Sequence, residues 1–135
     1  MDNSNLFDLA QKAKNNAYSP ISNYQVGAAL LCKNNNIYVG CNVEDSSLRS
    51  GSCAERVAFF TAIANGENNF EKIVIVGGFK NQKLDKITPC GTCRQLISEF
   101  CSSNFEIINY YEENNEIKSI SYTLNDLLPF SFELS

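Results

Sequence analysis

Cys53-Ala54-Glu55-Arg56, followed by Pro89-Cys90-Gly91-Thr92-Cys93-Arg94-Gln95, decides the reading of this 135-residue chain. Cys53, Cys90 and Cys93 can together hold one zinc ion and leave its fourth position free. Three protein ligands with an open position is the catalytic pattern, whereas four protein ligands make a structural site. The sequence has no histidine to supply a fourth ligand. Glu55, two residues beyond the first candidate ligand, is then available to move protons.

Both cysteine motifs fall at predicted helix N-termini, where the helix dipole favours negative charge and lowers thiol pKa values. Cys90 and Cys93, three apart, share a face of one helical turn. Cys53 must come from another helix, so zinc is expected between two helix starts, with Zn–S distances of about 2.3 Å. Three thiolates on Zn²⁺ leave a formal charge of −1, and a neighbouring cation should offset it. Arg56 and Arg94 can both donate to thiolate sulfur, and Arg56 is expected to be the main partner. Taken alone, Cys90-x-x-Cys93 also fits a redox pair or a structural zinc site. Cys32 and Cys41 fall in predicted strands and, with Cys101, read as small buried hydrophobes. Glu55 alone could be an ordinary first-turn glutamate favoured by the dipole.

Outward from these motifs, Leu6, Leu9, Ala10, Ala13 and Ala17 recur with helical spacing and predict a helix over residues 4–17. Tyr18-Ser19-Pro20 ends it, because the residue before proline avoids helical geometry. Gln25 to Cys32 and Ile37 to Val43 read as a hairpin joined by the Lys33–Asn36 turn. The next helix begins near Cys53, with Val57, Phe60 and Ala64 on its expected inward face and Gly66 as its stop. Ile73-Val74-Ile75-Val76 reads as a strand buried on both faces. Pro89 is expected in the first turn of a helix running to about Phe100. Two strands, Phe105 to Tyr111 and Ile117 to Tyr122, precede a short helix from Thr123 that Pro129 closes. This order favours a layered α/β domain over residues 1–135, with helices covering a central sheet.

A hydrophobic share of 44% with moderate charge suits a globular protein rather than a disordered one. The net charge of −4 and the lack of a basic stripe count against nucleic acid as a partner. A small, near-neutral substrate fits better. No apolar run approaches a membrane span, and Met1-Asp2-Asn3-Ser4-Asn5 lacks the basic start of a secretion signal. The expectation is a cytoplasmic protein with no membrane partner.

The chain resembles the small, single-domain cytidine deaminases of the tetrameric type, which use three cysteines for zinc. The likeness runs nearly end to end. It includes Tyr18-Ser19-Pro20, Gln25-Val26-Gly27-Ala28-Ala29-Leu30, Gly40-Cys41-Asn42-Val43-Glu44, both zinc motifs and Leu127-Leu128-Pro129. The resemblance implies a three-layer α/β/α sandwich around a mixed five-stranded sheet, one Zn²⁺ per chain on Cys53, Cys90 and Cys93, and a homotetramer with active sites shared between subunits. It implies hydrolysis of cytidine or deoxycytidine to uridine or deoxyuridine, with Glu55 as the catalytic acid and base. Asn42 and Glu44 are carried over as contacts to the sugar hydroxyls, although both residues can also simply organise their loop. Tyr24 stands where an aromatic stacks near the pyrimidine, Ala54 is carried over as a substrate contact, and Phe132 is expected to reach a neighbouring subunit's site.

This sequence departs from the family pattern in places. Asp45-Ser46-Ser47-Leu48-Arg49 stands where relatives commonly carry Asn-Ala followed by Ser or Cys and Tyr, and Tyr24 stands where Phe is common. These changes bear on selectivity at the sugar end and leave zinc and proton transfer untouched. The rival substrate is a modified cytosine nucleoside such as blasticidin S. Deaminases of that kind commonly lack the counterparts of Arg56, Asn42 and Glu44. A non-catalytic zinc- or nucleoside-binding protein is a further alternative, and intact Glu55 speaks against it.

Overall fold

In the computed structural model, which describes residues 3–132, four consecutive residues of one strand build both cores. Strand β1 (Tyr24–Cys32) turns Ala28 and Leu30 to one face and Ala29 and Leu31 to the other, all of them buried. Side chains alternate along a strand, so a strand covered on both faces carries a continuous apolar run. The same holds for Ile73-Val74-Ile75-Val76 in β3 (Phe70–Phe79). The remaining strands are β2 (Ile37–Cys41), β4 (Glu106–Glu113) and β5 (Glu116–Thr123). Their order across the sheet is β2-β1-β3-β4-β5. Of the four strand pairs in this sheet, β3–β4 is parallel and the others are antiparallel.

Helix α1 (Asn3–Asn15) covers one face, burying Leu6, Ala10 and Ala13. Its approach to the sheet is close: a Cβ on Gly27 would run into the Ala10 carbonyl. Helices α2 (Ala54–Ala64), α3 (Gly91–Phe100) and α4 (Leu124–Leu127) cover the other face. The result is the expected three-layer α/β/α arrangement around a mixed five-stranded sheet. No helix of the described residues is long and apolar enough to cross a membrane.

Three local expectations need correction. Helix α1 stops at Asn15 rather than at 17, and residues 16 and 17 close tighter turns onto Ala13 and Lys14. The inward face of α2 is formed by Ala54, Glu55, Ala58, Phe59 and Ala62, not by Val57, Phe60 and Ala64. Phe60 is 50% exposed. The cause is close packing: a Cβ on Gly40 of β2 would sit 2.6 Å from the Ala58 nitrogen, so only a stripe of alanines fits there. Phe59 then fills the space between Phe70 and Phe105. Pro89 lies ahead of α3, not in its first turn. Cys90 is the N-cap, its carbonyl taking the first helical bond from the Arg94 N–H at 2.9 Å. Gly66 follows the C-cap of α2 as expected, at a φ of +89° that suits glycine.

Candidate active site

Cys53 and Cys90 hold equivalent places, as N-caps of α2 and α3. Both have extended backbone, and neither side chain caps its own helix. Their sulfurs are therefore free to turn toward each other, and they lie 3.8 Å apart. Cys93 Sγ lies 3.5 Å from Cys90 Sγ, and all three sulfurs fall within 4.8 Å of one another. Zn–S bonds of about 2.3 Å in a tetrahedron put sulfurs about 3.8 Å apart. The three cysteines fit zinc, and no other metal-binding side chain joins them among the described residues.

The charges around the sulfurs agree with that. A hydrogen bond from Cys93 holds the Cys53 thiol well below its usual range, with help from Cys90 and the positive charge of Arg56. Cys93 moves the opposite way, through its bond to Cys53, its burial and the nearby negative charge of Glu55 and Cys53. Metal binding needs thiolates, and a cation relieves the repulsion that otherwise keeps a proton on Cys93. Arg56 Nε is buried with no partner. Such orphaned donors are rare in folded proteins, and this one stands beside a site that gains negative charge once its thiols ionise. Burial pushes the Glu55 carboxyl up to about 7, and the Cys53 charge adds to the rise. A carboxyl that titrates near neutrality can both accept and return a proton.

Cys53, Glu55, Arg56 and Cys90 line one side of a cavity of about 450 Å³, within the usual range for a small-molecule site. Tyr24, Val26 and Ile87 supply an apolar wall, and Asn42, Glu44 and Ala54 complete the expected set. Asn42 is tied to β1: its Oδ1 accepts from the Val26 N–H at 2.8 Å and its Nδ2 donates to the Tyr24 carbonyl at 2.9 Å. Glu44 accepts from the Ile21 and Ser22 N–H groups at 2.9 and 3.1 Å and from Ser22 Oγ. Asn42 is thus anchored to β1 and Glu44 holds the Ile21–Ser22 turn, while both line the cavity. Leu48, at a φ of 62°, is 75% exposed at the cavity's margin.

Two residues stand apart from the cavity. Phe132 is 67% exposed and does not line this chain's cavity, and its carbonyl accepts from Gln95 Nε2 at 3.1 Å. Arg94 makes no contact with sulfur. It clamps the Pro89 carbonyl at 2.6 Å, the Leu127 carbonyl at 2.8 Å and Thr88 Oγ1 at 2.8 Å. Of the two arginines considered as thiolate partners, only Arg56 faces the thiols. Sequence reasoning missed Ile87 and Thr88 as cavity residues, although they directly precede Pro89-Cys90. Cys32 and Cys101 behave as expected of inert thiols, pushed by burial up to about 11 and about 12. Burial also raises the half-buried Cys41.

A family model described as the cytidine and deoxycytidylate deaminase zinc-binding region matches residues 1–108. The chain belongs to this family. Cytidine deaminase from Sporosarcina psychrophila is 38% identical over 98% of this chain and 92% of its own length. The crystal structure of cytidine deaminase from Burkholderia pseudomallei superposes with a TM-score of 0.83 at 35% identity, covering 98% of this chain and all of that one. Blasticidin-S deaminase from Bacillus cereus is also similar, 31% identical over 81% of this chain and 77% of its own length. Within this zinc-binding deaminase family, the converging Cys53, Cys90 and Cys93 form a cluster that fits one zinc ion.

Proposed function

We propose that this protein hydrolyses cytidine and deoxycytidine to uridine and deoxyuridine with release of ammonia. The observation that carries this reading is Glu55, a buried carboxyl raised to about 7 on the wall of a nucleoside-sized cavity, two residues from Cys53. When bound, zinc supplies the Lewis acidity that lets water ionise near neutral pH. Glu55 accepts a proton from the attacking water and passes it to ring N3. It then moves the second water proton to the departing amine. The water oxygen becomes O4 of the product, the C4–N bond breaks, and NH₃ leaves. Proton transfer of this kind contributes about 10²–10⁴-fold in rate. Glu55→Ala should therefore keep its zinc and lose nearly all ammonia release from cytidine; turnover at the wild-type rate refutes the role.

Substrate contacts follow from the lining. Tyr24 offers its ring to the pyrimidine, and Ala54 contacts the base beside Glu55. Asn42 and Glu44 take the sugar hydroxyls. Three of about four acceptor positions on the Glu44 carboxylate are in use, which leaves room for one hydroxyl donor. Exposed Phe132 is assigned to a neighbouring subunit's site in a homotetramer with shared active sites. Full activity from a monomer in light scattering contradicts that assembly. A cytoplasmic location fits an unpaired set of cysteines. The chain acts as one catalytic domain over residues 1–135.

The similarity to blasticidin-S deaminase favours one second reading, a modified cytosine nucleoside as substrate. Arg56, Asn42 and Glu44 support cytidine instead. Comparing kcat/KM for cytidine and blasticidin S with the zinc-loaded protein decides between them.

A further inference from the structure

Strands β3 and β4 pair from Lys72 and Glu106 as far as Ile75 and Asn109. Beyond that point they part, β3 following β1 to Phe79 and β4 following β5 to Glu113. Residues 84–87 occupy the fork. The Asp85 N–H donates to the Gly77 carbonyl at 2.7 Å, and the Leu84 carbonyl accepts from the Glu112 N–H at 3.0 Å. Gly77 and Gly78 leave room for the segment: a Cβ on Gly77 would lie 2.7 Å from Ile87 Cδ1, and one on Gly78 would meet the Lys83 carbonyl. This segment delivers Thr88, Pro89 and Cys90 to the metal centre.

A side chain makes the last bond in the fork. Asn109 is 1% exposed in the otherwise apolar run Ile107-Ile108-Asn109-Tyr110-Tyr111. Its Oδ1 accepts from the Ile87 N–H at 2.9 Å, and its Nδ2 donates to the Ile75 and Tyr110 carbonyls, both at 3.2 Å. Leucine there would leave the Ile87 N–H and the Ile75 and Tyr110 carbonyls without this partner, so the amide serves backbone groups at the point where the strands part. What the amide adds is a fixed place for Ile87, three residues before Cys90.

We propose that Asn109 is a positioning residue for the metal centre, holding the Cys90–Cys93 arm in register with Cys53 through the backbone of Ile87. This rests on the zinc reading of the three cysteines. Asn109 acts through the fork and not on the substrate, so metal retention reads its role directly.

The test compares zinc-loaded wild type, Asn109→Leu and Leu6→Ala, the last weakening the opposite layer under α1. Zinc release to a chelator is followed at a fixed interval below each protein's Tm. Asn109→Leu should release zinc at least about tenfold faster than wild type, while Leu6→Ala keeps the wild-type rate. Zinc held equally well by wild type and Asn109→Leu, or lost equally fast from both variants, overturns the inference. Wild type that binds no zinc overturns the metal reading and this inference with it. Should Asn109→Leu not fold, amide exchange in the wild type decides. The Ile87 N–H is expected to be strongly protected, and exchange as fast as at the exposed Asn81 turn overturns the proposal.

Discussion

The Tyr24 hydroxyl donates to Asp85 Oδ2 at 3.1 Å, tying the aromatic wall of the cavity to the segment that carries Cys90. The ring also meets Phe79 edge-on at 4.9 Å. Burial, then the bond to Asp85, raises the phenol far above its usual range, so it is a permanent donor at any working pH. Tyr24→Phe removes the tie and keeps the ring. We expect a loss of about 1 kcal/mol in stability and a higher KM for cytidine with kcat little changed. The ratio of variant to wild-type activity should stay flat between pH 6 and about 9, which steady-state kinetics across that range checks.

Glu55 gives the metal-free protein a pH signature. Its folded pKa of about 7 exceeds the ordinary value of 4.5. The folded state therefore binds the proton more tightly, and this contribution is full below about 4.5 and lost as pH rises through about 7. The difference is on the order of 3 kcal/mol. Cys53, held low, works the other way, gaining stability as pH rises. Glu55→Gln leaves Cys53 in place, so urea unfolding of both chelator-treated proteins isolates the glutamate. The variant should gain on wild type by a few kcal/mol between pH 5 and pH 8. No gain contradicts the buried, proton-holding carboxyl.

Arg56 should matter more for metal than for fold. Its buried, unpartnered Nε and its charge beside Cys53 both favour ionised sulfur. Arg56→Gln is expected to weaken zinc binding about 10–100-fold, measured by competition with a chelator. Wild-type affinity together with wild-type turnover removes Arg56 from that role.

Gly40→Ala tests how α2 presents Cys53. The added methyl would strike the Ala54 carbonyl and crowd the Ala58 nitrogen, so the first turn of α2 must move. A cost of about 3 kcal/mol in denaturant unfolding is expected, with faster zinc loss from the shifted Cys53. An unchanged Tm counts against so close a contact between helix and strand.

Much of this was legible in the sequence because it is periodic or local. Apolar spacing, with proline and glycine as punctuation, gave every named element in order, and the cysteine motifs picked out the three sulfurs that converge. The inward face of α2 was misread because Phe60 outranks alanine in hydrophobicity, and the reason for alanine lies in a distant glycine, Gly40. Arg94 beside Cys93 suggested sulfur, but its three acceptors include the Leu127 carbonyl, remote in sequence. Asp85 and Asn109 passed unnoticed for the same reason. Their partners are a phenol and backbone groups far along the chain, which no local pattern encodes.

Cys90 and Cys93 lie within the crossover that joins the parallel strands β3 and β4. Contacts between residues far apart along a chain form slowly, because loop closure comes before any gain from contact. Cys53 meets Cys90 across 37 residues, much as β3 meets β4 from Lys72 to Glu106, so the sulfurs come together through long-range contacts of the whole fold. The metal centre is thus a product of packed layers and not of any short stretch of chain, and a peptide carrying Cys90 and Cys93 alone lacks the third sulfur.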